Sequence, residues 1–158
     1  MVVCANKEGI CLLEFEDRPD INRQLMSLLS FLEGTIVPGT NTHILNLQSQ
    51  IDLYFKKELK KFDLPLVFAG TDFQKSVWNQ LLYIPFGSTQ TYLAVTKKLG
   101  NVKAIRAVAS ANGANKIAIL VPCHRVIGSD GSLIGYAGGL WRKKWLLEHE
   151  SAQVKMDF

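Results

Sequence analysis

From Ala104 to Ala114, seven of eleven residues are Ala, Ser or Gly, and Arg106 is the one long basic side chain among them. A helix this smooth either lets another helix pack closely or presses on a surface that long side chains would hold off. Upstream, Thr89 or Thr91 can cap a short helix ending at Leu99, Gly100 makes a turn, and the smooth helix runs from about Lys103 to Asn112. Two short helices across a Gly turn fit helix-turn-helix geometry; an αα-corner that only packs the core is the alternative. A helix reading the major groove carries several long polar side chains to base edges. This one does not, so its face suits the narrower minor groove, with Arg106 free to fill the gap when a nucleotide leaves the stack.

The charge distribution agrees with a polyanionic partner. The chain of 158 residues carries 18 Lys and Arg against 14 Asp and Glu, a net +4. Residues 1–70 contribute −2 and residues 71–158 contribute +6, so the basic excess lies on the side of the smooth helix. An apolar fraction of 47% excludes disordered, collagenous and coiled-coil classes. The longest apolar runs, such as Ile117 to Val121, fall far below the ~20 residues that span a bilayer, and Met1 to Gly9 lacks the pattern of a signal peptide. The expectation is a cytoplasmic protein with no membrane partner. The three cysteines, at 4, 11 and 123, are odd in number and lack zinc-ribbon spacing, so reduced thiols are expected.

In the first part of the chain, Met1 to Ala5 and Ile10 to Phe15 flank Asn6-Lys7-Glu8-Gly9 and read as a β-hairpin. Ile21, Leu25, Leu28, Leu29 and Leu32 mark one helix, ended by Gly34; Asn41 caps a second, with Ile44, Leu47, Ile51 and Phe55 on one face. Phe62 to Phe68 reads as an edge strand or bulge because Pro65 donates no ladder hydrogen bond. Cys4 and Cys11 read as ordinary core thiols, and His43 as an exposed polar residue. Nothing here proposes chemistry.

The second part opens with Thr71 and Gln74 in capping-box spacing, leading a helix with Phe73, Val77, Trp78, Leu81 and Leu82 on its apolar face. Ile117 to Val121 reads as a buried strand running into Pro122-Cys123-His124-Arg125-Val126. Neighbouring side chains on a regular strand point to opposite faces, so His124 can act on Cys123 only through a turn, which Pro122 supports, or through a bridging water. A buried, inert thiol is the alternative. Ile127 to Ser132 reads as a hairpin turn, and Gly135-Tyr136-Ala137-Gly138-Gly139 as a loop whose backbone can approach a flat ligand. A last helix spans Leu140 to Glu150. A carboxylate at a helix C-terminus is disfavoured by the macrodipole, so Glu150 is either solvated or held by a partner such as His124.

Val121-Pro122-Cys123-His124-Arg125-Val126-Ile127-Gly128 combines with Arg106-Ala107-Val108, Ala111-Asn112-Gly113, Asn115, Gly135-Tyr136, Gly138-Gly139 and Lys144-Trp145-Leu146-Leu147. In that order these motifs resemble the methylated-DNA–protein-cysteine methyltransferases, the O6-alkylguanine-DNA alkyltransferases, over residues 70–150. Many members carry Pro where this chain has Lys116. Members with a structural zinc use further Cys and His ligands; only Cys4 and Cys11 stand near such positions, so no metal and no cofactor is expected.

The resemblance implies a mixed α/β (α+β) fold, with an N-terminal lobe at 1–69 holding a small antiparallel sheet. Its helices would pack on a helical, winged-helix-like active-site domain at 70–158 that contains the helix-turn-helix. It implies a protein that acts once on double-stranded DNA containing O6-alkylguanine, or O4-alkylthymine, and keeps the alkyl group on Cys123; a monomer is expected because the sequence shows no exposed apolar heptad or long edge strand. His124 would relay the proton through water, Glu150 would orient the imidazole, Asn115 would hold the turn, and Tyr92 would protonate the departing base. Arg106, Ala107, Ser110, Thr91 and Arg125 would contact DNA, while Val126, Tyr136 and Ala137 would line the base pocket. Two other readings remain open: a non-enzymatic relative that flips damaged bases without repairing them, and a Cys-His hydrolase that regenerates its thiol.

Overall fold

A computed structural model describes residues 1–151; residues 152–158, the end of the expected second lobe, lie outside them. The chain opens with the antiparallel pair β1 (Val2–Ala5) and β2 (Ile10–Glu14). Asn6 sets the turn, its carboxamide oxygen accepting from the backbone of Glu8 and Gly9. Gly9 is required there, because a Cβ would stand 2.3 Å from Pro65 O. That close approach lets Ile10 N–H donate to Pro65 O, while Val67 N–H donates to Ile10 O. Residues 62–68 are thus an irregular edge joined through one parallel bridge, Ile10 to Leu66.

Helix α1 (Ile21–Leu32) closes on Glu33 in the left-handed region, φ 50°, one residue before the expected Gly34. Helix α2 (Thr42–Phe55) is capped by Asn41, whose side chain accepts from Ile44 N–H. Its buried residues are Leu47 and Tyr54, while Phe55 is 41% exposed. The inward face therefore runs 47, 51, 54 and not to 55, because Tyr54 seats its ring against Phe62 and Phe86.

Helix α3 (Asp72–Leu81) begins with the complete Thr71–Gln74 capping box and buries Val77, Trp78 and Leu81. Phe73 and Leu82 are largely exposed. Strand β3 (Gln90–Thr91) leads into α4 (Tyr92–Lys98), capped by the Thr91 hydroxyl. Gly100 turns the chain at φ 80°, a 3-10 turn covers Val102–Ala104, and α5 (Ile105–Gly113) follows. The helix-turn-helix is present, and the apolar face of its second helix (Val108, Ala111) joins the core.

Two expected strands differ. Residues 117–121 are not extended: Leu13 and Ile117 make a single parallel bridge. The chain then folds back, with Ile119 at φ 71° and Val121 N–H donating to Ile117 O. An apolar run of that length does not separate a strand from a buried turn, and Asn115 decides it by taking up Ile117 N–H and Val121 O. The 127–132 turn closes through Gly128 N–H to Ser132 O, but β4 (Val126–Ile127) pairs in parallel with β3 and not with the following arm. Helix α6 (Leu140–Glu150) has the expected bounds. One core cluster joins Ile10, Leu13 and Leu47 to Trp78, Val95, Val108 and Val121, so the two parts share their packing. Among the described residues no helix is long and apolar enough to cross a membrane.

Candidate active site

Pro122 ends the folded-back segment, and Cys123–Arg125 form a 3-10 turn. This turn replaces the strand alternation that would have parted Cys123 from His124, and all three side chains of the turn are buried. Asn115 donates to Cys123 Sγ at 3.2 Å and to Val121 O at 3.0 Å; Asn112 donates to Cys123 O at 3.4 Å. Burial pushes the Cys123 thiol up to about 11, against the opposing hydrogen bond from Asn115. At rest the sulfur is protonated.

Behind it, His124 Nε2 lies 2.8 Å from Glu150 Oε1. A carboxylate can only accept, so Nε2 carries the hydrogen and Nδ1 is the basic nitrogen. Nδ1 is buried and has no hydrogen-bond partner among the described residues. Burial lowers the His124 pKa below the ordinary imidazole value despite the hydrogen bond from its ring to Glu150, which raises it; the ring is neutral at pH 7. Glu150 is 3% exposed. Burial alone would raise its pKa, but hydrogen bonds from His124 and Arg125 hold it well below the usual carboxylate range. Its Oε1 also accepts from Tyr54 Oη at 2.7 Å and Arg125 at 2.9 Å, and its Oε2 accepts from Arg125 Nε at 2.7 Å. The C-terminal carboxylate of α6 is therefore held, not solvated, and the unfavourable end of the helix dipole is offset by a bidentate guanidinium.

Arg125 is a correction. Expected on the DNA surface, it is buried, and its third nitrogen, Nη1, donates to Ile84 O at 2.6 Å. Its charge is committed to Glu150 and cannot meet a phosphate. Arg106, Ala107 and Ser110 are exposed on α5. Thr91 is half-buried with its hydroxyl accepting from Ala94 N–H.

Tyr92, Tyr136 and Ala137 gather round the sulfur. Tyr92 Oη donates to Ile134 O at 3.2 Å, its pKa pushed up to about 12 by burial and by Cys123. Gly135 is forced here, since a Cβ would stand 2.8 Å from that hydroxyl. Tyr136 and Ala137 line a cavity of about 10 Å3 with Cys123, Asn112 and Asn115. The space fits about one water and no purine. Val126 is fully buried beneath, its carbonyl accepting from the Lys143 ammonium, which also donates to Ile134 O. Burial brings the Lys143 pKa down to about 8.

Sequence reasoning missed Tyr54 and Lys143. Tyr54 follows Leu47 and Ile51 at helical spacing, a signal for an inward polar tip. Lys143 precedes Leu146 and Glu150 by three and seven positions, which puts it on their face and apart from its neighbours Arg142 and Lys144.

Fold and cluster together define a class: a mixed α/β protein that joins a helix-turn-helix to a buried cysteine followed in the same turn by a histidine paired with a carboxylate. A family model described as the DNA-binding domain of 6-O-methylguanine DNA methyltransferase matches residues 72–152. The methylated-DNA–protein-cysteine methyltransferase of Methanosarcina acetivorans is 56% identical over 103 residues, 65% of this chain and 66% of that relative. That of Salmonella typhimurium is 43% identical over 151 residues, 94% of this chain and 87% of the relative. Mycobacterium tuberculosis OGT in complex with DNA superposes with a TM-score of 0.76 at 37% identity, covering 94% of this chain and 84% of that one. The chain belongs to the methylated-DNA–protein-cysteine methyltransferase family.

Proposed function

We propose that the chain repairs duplex DNA by moving an alkyl group from guanine O6, or thymine O4, to Cys123 in a single irreversible turnover. The observation that carries this reading is Cys123 beside Asn115, with a His124 ring whose Nε2 is spent on Glu150 and whose Nδ1 is free to take a proton. Residues 70–151 supply the chemistry and the DNA surface, residues 1–69 frame them, and the cytoplasm is the compartment that fits reduced thiols.

DNA lies along the exposed face of α5, with Ala107 and Ser110 against the minor groove and the Thr91 end of α4 beside the backbone. Extrusion of the damaged nucleotide costs a few kcal/mol, and Arg106 fills the space it leaves. The base reaches Cys123 by displacing the Gly135–Gly139 loop, so that Tyr136 and Ala137 become walls of its pocket and the buried backbone of Val126 its floor.

A thiol held at about 11 is roughly one part in ten thousand thiolate at pH 7, so ionisation accompanies attack. The Cys123 proton passes through water to His124 Nδ1, and the imidazolium is held by Glu150. The sulfur attacks the alkyl carbon in line, the S–C bond forms as the C–O bond breaks, and the electron pair leaves with the base. Tyr92 protonates the departing guanine and the relay returns a proton to Tyr92, so the thiol hydrogen ends on guanine. Asn115 steadies the charge developing on sulfur. Because a thiolate is a poor leaving group from an unactivated alkyl carbon, nothing cleaves the thioether to regenerate the thiol.

Duplex carrying methyl-labelled O6-methylguanine tests the reading: one label per protein, mapped to Cys123 and abolished in Cys123→Ala, is expected. Folded, reduced protein that takes up no label would overturn it. Tight reversible binding without a change in protein mass would favour a non-enzymatic damage binder.

A further inference from the structure

A second cleft, on the far side of Arg18 from Cys123, plays no part in alkyl transfer. Its walls come from α1 (Arg23, Phe31), from the first turn of α3 (Thr71, Gln74) and from the end of α5 (Ser110), and it encloses about 420 Å3. Lys116 lines it from the segment that follows α5. The residue is only 6% exposed, and its backbone is pinned by Leu13 N–H, which donates to Lys116 O at 2.9 Å.

The ammonium lies 5.6 Å from the centre of the Phe31 ring and 5.7 Å from that of Trp78. Among the described residues it makes no hydrogen bond and no ion pair. The acids nearby are committed: Glu14 to Arg18, and Asp20 to Arg18, Arg23 and Gln24. An ammonium on a side chain this buried, open only to the cleft and without a counter-charge, is partly desolvated at a cost. The two ring faces offset a part of that. Burial and the Arg18 charge hold its pKa below the ordinary lysine value, as expected for a cation short of an anion.

Position matters as much as charge. Ser110 forms one wall of the cleft and lies one helical turn from Arg106 on the exposed face of α5. A duplex seated on that face carries its sugar-phosphate backbone across the cleft mouth. Arg23, 78% exposed at its side chain, stands at the rim with Nη2 donating to Asp20 and its other guanidinium donors turned to no partner among the described residues, and the hydroxyl hydrogens of Thr71 and Ser110 remain available, since Thr71 Oγ1 is used only as an acceptor.

We propose that this cleft is a phosphodiester subsite, in which Lys116 and Arg23, with the hydroxyls of Thr71 and Ser110, hold one backbone phosphate of the DNA strand passing α5. The proposal rests on the reading of α5 as the seat of the DNA. It extends the contact surface to α1, in the part of the chain where the sequence proposed no chemistry.

The test uses undamaged duplex, so that binding is read apart from repair, and follows affinity across a salt series. Lys116→Met keeps an unbranched chain between the two rings and removes the charge; its slope of log K against log salt flattens by about one, and Lys116→Arg restores it. Arg23→Gln, on an exposed side chain, flattens the slope likewise and serves if the Met variant fails to fold. In lysine-labelled protein the Lys116 side-chain resonance moves on addition of duplex. Wild-type slopes in the Met and Gln variants would overturn the proposal. So would a Lys116 resonance that answers to inorganic phosphate alone but not to duplex, which would make the ligand a free anion. A wild-type protein that binds no duplex at all would instead remove the underlying reading of α5.

Discussion

Tyr54 Oη and His124 Nε2 converge on one oxygen, Glu150 Oε1, at 2.7 and 2.8 Å. Tyr54 comes from α2, more than ninety positions before Glu150, and is fully buried. Burial and the neighbouring carboxylate push its phenol far above the ordinary value, so it is a donor at neutral pH. Each hydrogen bond that Oε1 accepts withdraws charge it would otherwise offer to the imidazole. Tyr54 is thus a positioning residue for the carboxylate that holds His124, supplied by a part of the chain outside the Cys123 cluster.

Tyr54→Phe tests that coupling. The ring stays and no donor is left unpaired, so the stability loss is that of one hydrogen bond to a charged group, about 1.5–3 kcal/mol by denaturant unfolding. Freed of the phenol, Glu150 stabilises the imidazolium better and the His124 pKa rises. The acid limb of the single-turnover rate, where the imidazole becomes protonated and ceases to accept, moves to higher pH. A Phe variant that is less stable but keeps the wild-type limb would reduce Tyr54 to packing.

Glu150→Gln removes the orienting charge and strands the Arg125 guanidinium, whose side chain is 8% exposed. Breaking a buried pair from one side costs about 3–5 kcal/mol. In protein that remains folded, the repair rate falls by about 10²–10⁴, while affinity for undamaged duplex holds, because Glu150 is buried and bonds to none of the α5 residues proposed to meet DNA. A parallel loss of duplex binding would show that the cluster supports the surface and not the relay.

The capping pair Thr71–Gln74, the Asn41 cap and the bounds of α6 were legible because each depends on side chains a few positions apart. Cys123, His124 and Glu150 were legible as types, and the turn after Pro122 that unites them was foreseen as a condition. What escaped was decided by distant contacts. The run 117–121 reads as a strand until Asn115 draws both its ends inward. Arg125, adjacent to two site residues and basic, reads as a phosphate ligand; only the fold shows that α6 ends beside it with a carboxylate needing two donors. Tyr54 escaped because its partner is on the last helix.

Arg106→Ala separates extrusion of the base from the chemistry. The side chain is exposed on α5 and touches nothing in the Cys123 cluster, so the variant keeps its stability within about 0.5 kcal/mol. Repair of O6-methylguanine in a duplex slows by about tenfold or more, since filling the vacated stack is worth part of the few kcal/mol that extrusion costs. Transfer from a free O6-alkylguanine base, which needs no extrusion, keeps its rate. Equal slowing of both substrates would place Arg106 in the chemistry.

Cys123 also makes a prediction about stability in alkali. Its thiol ionises at 9.0 in the unfolded reference and at about 11 when folded. Between those values the unfolded chain has lost a proton that the native protein keeps, so rising pH favours unfolding. The contribution is fully present below pH 9 and is lost by about pH 11, a change of about 3 kcal/mol. Cys123→Ala has no proton to lose, and its Tyr and Lys groups titrate as in the wild type apart from Tyr92, Tyr136 and Lys143, for which the coupling to Cys123 is secondary to burial. The stability difference, wild type minus Cys123→Ala, therefore stays constant up to pH 9 and then falls. Denaturant unfolding of both proteins at matched pH reads it directly. A difference that is flat from pH 8 to 11 would mean that the native thiol ionises as an exposed cysteine does, and proton transfer to His124 would then no longer be needed to explain attack at neutral pH.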